Sequence, residues 1–325
     1  MLEYISNKLR KGESLTEQDA LDLLSIQNLS REYYELLSLA SHVSKDVFQD
    51  RGYIFAQIGL DACACSGDCA FCSLAQSNYL QDGTHQKTLD EILEIVSQID
   101  FSKVTALFLM TTAEYPPDQL LEVARTVRAA IPPYTALVAN TGDFDLPYAL
   151  ALKAAGFTGA YHIVRLREGR DTMLSPQLRV RTLDAIVGAG LRLYYCLEPI
   201  GPEHSYTELV TEMMRARQYH VDVMAAMRRV NVPGSRTEAR GMVDDFEYAK
   251  IIAVTRLVTM PRISMNVHEP LSIGMLAGVN QLYAEIGVNP RDRSQHTERS
   301  RGYSVDAVSR MLADAGYHPC IEHKQ

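Results

Sequence analysis

A chain of 325 residues is long enough for one large core or two ordinary ones, and its 46% hydrophobic and 22% charged content, with no low-complexity tract, excludes a disordered protein. Its 32 Lys and Arg against 40 Asp and Glu give a net charge of −8, which disfavours a nucleic-acid scaffold, because phosphate binding needs a basic surface. No run approaches the roughly 18 apolar residues of a membrane span, and Met1 to Arg10 lacks the apolar stretch of a secretory leader, so no membrane partner and a cytoplasmic location are expected.

In chain order, the first 52 residues read as a helical preface in which Thr16-Glu-Gln-Asp19 offers an N-cap. The apolar run from Tyr53 to Leu60 predicts a first strand. A loop dense in cysteine follows, with Cys63, Cys65, Cys69 and Cys72 inside ten residues, whereas Cys196 and Cys320 are isolated. In a reducing compartment such clustering points to metal rather than disulfides. Three thiolates on one loop can hold three irons of a cubane cluster and leave the fourth open, while four can close a tetrahedral zinc site. Seven more strands are predicted at 104–110, 135–139, 159–164, 191–198, 221–227, 262–267 and 281–285. The predicted helices between them lie at 89–98, 118–130, 146–155, 179–189, 206–219 and 246–257.

Eight strands alternating with helices imply an α/β chain folded as a (β/α)8 TIM-type barrel over residues 53–289. An N-terminal helical extension, 1–52, precedes it. A C-terminal loop and helix, 290–325, pack on it as part of one domain. Barrel chemistry sits at the C-terminal ends of strands, and the cysteine loop obeys that rule.

The spacing Cys65-x3-Cys69-x2-Cys72, with Phe71 before the last cysteine, resembles the signature of the radical S-adenosylmethionine (SAM) superfamily. Cys63-x5-Cys69-x2-Cys72 is also present, and a minority branch uses that longer spacing, so Cys63 is the alternative first ligand. The rest of the chain resembles the biotin synthase-like group, which includes the radical SAM maturase of the [FeFe]-hydrogenase, methylornithine synthase and the iron-guanylylpyridinol cofactor maturase. The likeness is carried by Arg179-x10-Gly190-Leu191 running into Glu198-Pro-Ile-Gly-Pro-Glu203, by Asn231-Val-Pro-Gly234-Ser, by the stretch from Phe246 to Arg256, and by Leu276-Ala-Gly-Val-Asn280.

That resemblance implies a [4Fe-4S] cluster on Cys65, Cys69 and Cys72, with SAM on the open iron. It implies Arg179 on the SAM carboxylate, Glu168 as a second SAM contact, and Glu198 and Ile200 along the adenosine. Phe71, Asn140 and Arg228 are further expected cofactor-binding residues. Biotin synthase holds a second cluster on three more cysteines and an arginine at inner strand ends. The corresponding stretches here end at Met110, Ala139, Cys196 and Met265 and offer at most Cys196, so that sulfur-donor chemistry is not expected.

Other strand ends are polar. They supply Thr111, Thr112, Asn140, Thr141, Arg228 and Arg229, and then Glu269, Glu285 and Asn289, a lining that suits a small polar substrate. Asn266 and His268 alternate by two and share one side of a strand; with Glu198 and His162 they are the expected catalytic residues. The polar run from Asn289 to Gly302 reads as a lid, a partner surface or a solvated loop.

The expected activity is reductive cleavage of SAM to a 5′-deoxyadenosyl radical that takes hydrogen from the substrate. The product would be a cofactor or unusual amino acid, made by rearrangement, methyl or fragment transfer. A flavodoxin- or ferredoxin-type carrier would supply electrons, and a partner enzyme is also open. Two alternatives stand beside it: sulfur insertion of the lipoyl-synthesis type with a partner subunit, and a zinc-stabilised binding module.

Overall fold

The computed structural model describes residues 1–79, 84–268, 271–284 and 303–320. Eight parallel strands follow one another round a closed sheet: β1 (Arg51–Gly59), β2 (Val104–Met110), β3 (Ala136–Asn140), β4 (Gly159–Tyr161), β5 (Arg192–Ile200), β6 (Val223–Arg228), β7 (Ser264–Val267) and β8 (Gln281–Ala284). Closure is made by β8 returning to β1, with Tyr53 opposite Gln281 and Ala56 opposite Ala284. The predicted barrel is therefore present. β4 is half its predicted length because the chain leaves the ladder after Tyr161.

Each strand alternates between two cores, as the two-residue period requires. On β2, Ala106, Phe108 and Met110 face the barrel interior, while Leu107 and Leu109 face the helical layer. Inside, the rings of Phe55, Phe108, Tyr194 and Tyr283 meet with centroids 5.3–6.0 Å apart, mostly edge to face, and fill the barrel's waist.

Before the barrel come α1 (Leu2–Arg10), α2 (Glu17–Leu24) and α3 (Arg31–Phe48). The N-cap at Thr16 is a full capping box: its hydroxyl accepts from Asp19 N at 3.1 Å, and its own amide donates to Asp19 Oδ2 at 2.7 Å. Around the barrel lie α4 (Leu89–Ser97), α5 (Pro117–Ala130), α6 (Leu146–Ala154), α7 (Pro176–Gly188), α8 (Tyr206–Gln218), α9 (Asp245–Thr259) and the short α10 (Ser272–Leu276). Helix α9 is buried on every side from Tyr248 to Thr259, because α2 and α3 cover the face turned away from the sheet. Polar ties lock this second layer. Ser44 Oγ donates to Gly278 O at 2.6 Å, Arg256 Nε donates to Ser44 Oγ at 2.7 Å, and Lys250 Nζ donates to Ile26 O at 3.1 Å.

The C-terminal helix α11 (Val305–Asp314) leads to β9 (His318–Pro319), which pairs with the start of β1 at the end of the barrel opposite the cysteine loop. Among the described residues no helix is long and apolar enough to cross a membrane. Glu269, Glu285, Asn289 and the run from Asn289 to Gly302 lie outside the described residues.

Candidate functional site

The cysteine loop is fastened at its base before it reaches the barrel mouth. Asp61 accepts the amide of Thr112 at 2.8 Å and also its hydroxyl, which pins the loop to the end of β2. Cys63 belongs to this anchor: its sulfur lies 3.0 Å from Thr112 Oγ1 and 3.4 Å from Asp61 Oδ2. The chain then coils on itself, with Cys65 N donating to Leu74 O, Gln76 N to Cys65 O and Cys72 N to Cys69 O at 2.8–3.1 Å. Two further amide bonds, Ala70 N to Asp171 O and Met173 N to Gly67 O, tie it to the segment after β4.

This winding brings Cys65, Cys69, Cys72 and Phe71 onto one wall of a cavity of about 260 Å³ at the C-terminal ends of the strands. Burial pushes the Cys69 thiol up to about 12 and raises Cys65 as well, against the pull of the Arg165 guanidinium near Cys69. The Cys65 and Cys69 thiols, which burial keeps protonated, are groups that a metal centre would deprotonate and neutralise. Among the described residues no three cysteine sulfurs lie within 4.8 Å of one another. Three cysteines on one wall are a donor set that an iron–sulfur cluster with one open iron would take.

Opposite the cysteines stands a buried charge network. Arg179 donates from Nε to Ile163 O at 2.8 Å and from Nη1 to Asp143 Oδ1 at 3.1 Å, with Glu168 Oε2 3.6 Å away. Arg165 lies 3.4 Å from Glu198 Oε1 and 3.7 Å from Glu168 Oε2. Glu168, its carboxylate 1% exposed, also accepts from Arg165 N at 2.9 Å and Thr172 Oγ1 at 2.6 Å, so it holds both arginines from behind. Burial opposes ionisation of Asp143, but contact with His162 and the charge of Arg179 hold its carboxyl below the usual range. His162 is fully buried, its Nε2 3.2 Å from Asp143 Oδ1 but too poorly aligned for a hydrogen bond. Burial and Arg179 push its pKa down to about 3, so it is neutral.

Of the residues singled out from sequence, Cys65, Cys69, Cys72, Phe71, Asn140, Arg179, Glu198, Asn266 and His268 share the cavity. Five do not line it. Cys63 is in the anchor, Glu168 backs the arginines, and His162 lies beneath Asp143. Ile200 packs in the outer core at 1% exposure, beyond the irregular register between Leu197 and Ile200. Arg228 points outward, because Val223, Ala225 and Met227 are the inward residues of β6; it pairs with Asp245 at 2.5 Å over the Tyr248 ring.

The sequence reading missed Gln57, Tyr161, Tyr283 and Arg165, all on the cavity wall. Gln57 carried a signal, being a polar residue in phase with the inward Tyr53 and Phe55. Three buried atoms on residues of the wall have no hydrogen-bond partner, Arg165 Nη1, Arg229 Nε and Asn266 Oδ1. All are groups that a ligand would satisfy.

A second cluster above the barrel mouth, Asp171, Glu203 and His204, gathers ligand atoms within 4.8 Å. His204 Nδ1 accepts the Gly201 amide at 3.0 Å, so the proton sits on Nε2 and that nitrogen cannot ligate. Arg240 bonds both carboxylates and Arg229 bonds Glu203. The group is an ion-pair cluster rather than a metal site.

No family model matches the chain. Among curated proteins it is 25% identical over 269 residues to the biotin synthase of Clostridioides difficile (strain 630), covering 78% of this chain and 80% of that protein. It is 27% identical over 237 residues to the biotin synthase of Xanthomonas oryzae pv. oryzae (strain PXO99A), covering 67% and 68%. Among solved structures, methylornithine synthase superposes with a TM-score of 0.83 at 18% identity over 97% of both chains. A maturase of the [FeFe]-hydrogenase superposes with a TM-score of 0.82 at 16% identity, over 97% of this chain and 74% of that one. At these identities the two structures show a shared fold.

Proposed function

We propose, from the premise that relatives and fold support the radical SAM superfamily and its biotin synthase-like group for this chain, that it is a radical SAM enzyme acting on a small polar substrate. The observation that carries the reading is the convergence of Cys65, Cys69 and Cys72 with Arg165, Arg179 and Asn266 around one cavity. The three thiolates would hold a [4Fe-4S] cluster, and Arg179 and Arg165 would meet the carboxylate of SAM. Bound together, cluster and SAM supply one-electron cleavage of the sulfonium and a 5′-deoxyadenosyl radical that abstracts hydrogen from an unactivated carbon.

The protein's own share is placement and exclusion. Glu168 and Asp143 hold the two guanidiniums so that neither must reorganise when a carboxylate arrives. The aromatic waist excludes water from below, and Asn266 and His268 face the substrate space from β7 and the residue after it. Substrates of cofactor or unusual amino-acid synthesis, handled by rearrangement, methyl or fragment transfer, suit such a wall, and a flavodoxin- or ferredoxin-type carrier would supply the electron. The test is anaerobic reconstitution with iron and sulfide, reduction by dithionite, and assay of methionine and 5′-deoxyadenosine from SAM. Formation of both supports the reading; a reconstituted protein that leaves SAM intact refutes it.

A further inference from the structure

Cys196 has no task in the reading above. It is a free thiol on the cavity wall, 2% exposed, and Tyr161 and Glu198 are its polar neighbours there. Its register neighbours make the position specific. Cys196 lies opposite Ala225 on β6, which lies opposite Asn266 on β7, and all three face the cavity. With strands about 4.8 Å apart, the thiol and the amide stand roughly 10 Å apart on one rung, with only a methyl group between them. Asn266 donates through Nδ2 to Gln281 O at 2.9 Å, while its Oδ1, in a residue 1% exposed, has no donor. A ligand group that satisfies Oδ1 is thereby held over Ala225, beside the sulfur.

The exchangeable hydrogens on this wall differ in how readily a carbon radical takes them. Those of amides and of aliphatic hydroxyls, such as Thr111 and Asn140, are bound too strongly. Those of a thiol or a phenol are not. Burial raises the Cys196 thiol well above its ordinary value, so the S–H bond is intact at neutral pH.

We propose that Cys196 is the hydrogen-atom donor to carbon radicals formed in this cavity, an assignment that rests on the radical SAM reading. In the step the S–H bond breaks homolytically, a C–H bond forms, and one unpaired electron is left on sulfur. The thiyl radical returns to thiol by taking one electron from the same low-potential one-electron carrier and one proton from solvent. The reaction class that follows is one whose product radical is closed by a solvent-derived hydrogen, at a cost of two electrons per turnover.

The experiment uses SAM alone, without a substrate. Cluster-loaded protein reduced by dithionite in D2O cleaves SAM slowly, and the 5′-deoxyadenosine is weighed by mass spectrometry. The wild type should place one deuterium at C5′ in most of the product. Cys196→Ala and the near-isosteric Cys196→Ser should lower that share at least severalfold while iron and sulfide contents stay at the wild-type level, and Tyr161→Phe should keep it. An infrared difference spectrum of cluster-free protein, wild type minus Cys196→Ser, should show an S–H stretch that shifts in D2O. Unlabelled product from the wild type, equal labelling in Cys196→Ser, or loss of label in Tyr161→Phe alone would overturn the assignment. SAM left uncleaved by the wild type would instead bring down the radical SAM reading itself.

Discussion

Cys63 and Cys65 are two residues apart and meet different surroundings, one hydrogen-bonded into the Asp61–Thr112 anchor and the other facing the cavity with Cys69 and Cys72. We expect Cys65→Ala, Cys69→Ala and Cys72→Ala to lose the visible absorption of the reconstituted protein and Cys63→Ala to keep it; the reverse pattern at positions 63 and 65 would assign the longer spacing. Arg179 also has a structural task, bonded to Ile163 O and Asp143. Its removal leaves the Ile163 carbonyl buried without its donor and takes a charge partner from the buried Glu168 carboxylate and from Asp143, so Arg179→Ala should cost about 3 kcal/mol of unfolding free energy by urea titration, and a stability equal to wild type would show the network is dispensable.

His162 predicts a pH dependence. Its folded pKa, about 3, lies below the unfolded value of 6.5, so between those values the unfolded chain binds the extra proton and stability falls as pH falls. His162→Gln should flatten the slope of unfolding free energy between pH 6.5 and 4.5, and an unchanged slope would mean that other groups set it. At this scale the cysteines, Asn266 and His268 were legible from spacing and alternation. Arg228 was not, because a strand end read one residue out of phase turns the wrong side chain inward.

Elements were legible where local signals and tertiary packing agree. Helix α7 begins at Pro176 behind the N-cap Ser175, three residues before its predicted start, and that Ser-Pro pair was a start signal in its own right. The small-residue turn before β8 shows what packing adds. Gly278 has φ +96°, and a Cβ there would stand 2.8 Å from Ala40 O and 2.9 Å from Ser44 Oγ, while its own carbonyl receives the Ser44 hydroxyl. Gly278→Ala should therefore destabilise by about 2 kcal/mol or more and loosen α3 from the barrel. A thermal midpoint within a degree of wild type would contradict this. Sequence marked the turn, but nothing in it named α3 as the neighbour.

Across the whole molecule, the order of strands was the most legible property, since eight apolar runs separated by helical patterns admit few closed arrangements. Less legible was the interior network, in which Arg165, Glu168, Asp143 and Glu198 come from three separate strand ends and pair only after closure. Solvation of isolated charges in a loop and burial of the same charges in a network look alike along a sequence.

The ring of Phe55, Phe108, Tyr194 and Tyr283 at the barrel's waist has a kinetic meaning. It makes the interior a blind well among the described residues, with the rung of Cys196 and Asn266 near the bottom and the cysteine loop at the rim. Occupants of such a well queue: the molecule destined for the bottom must go down first, and the one at the rim then corks it. Protein preloaded with SAM should show a lag on meeting its substrate that protein preloaded with substrate does not, and superimposable progress curves would mean that the well has a second door.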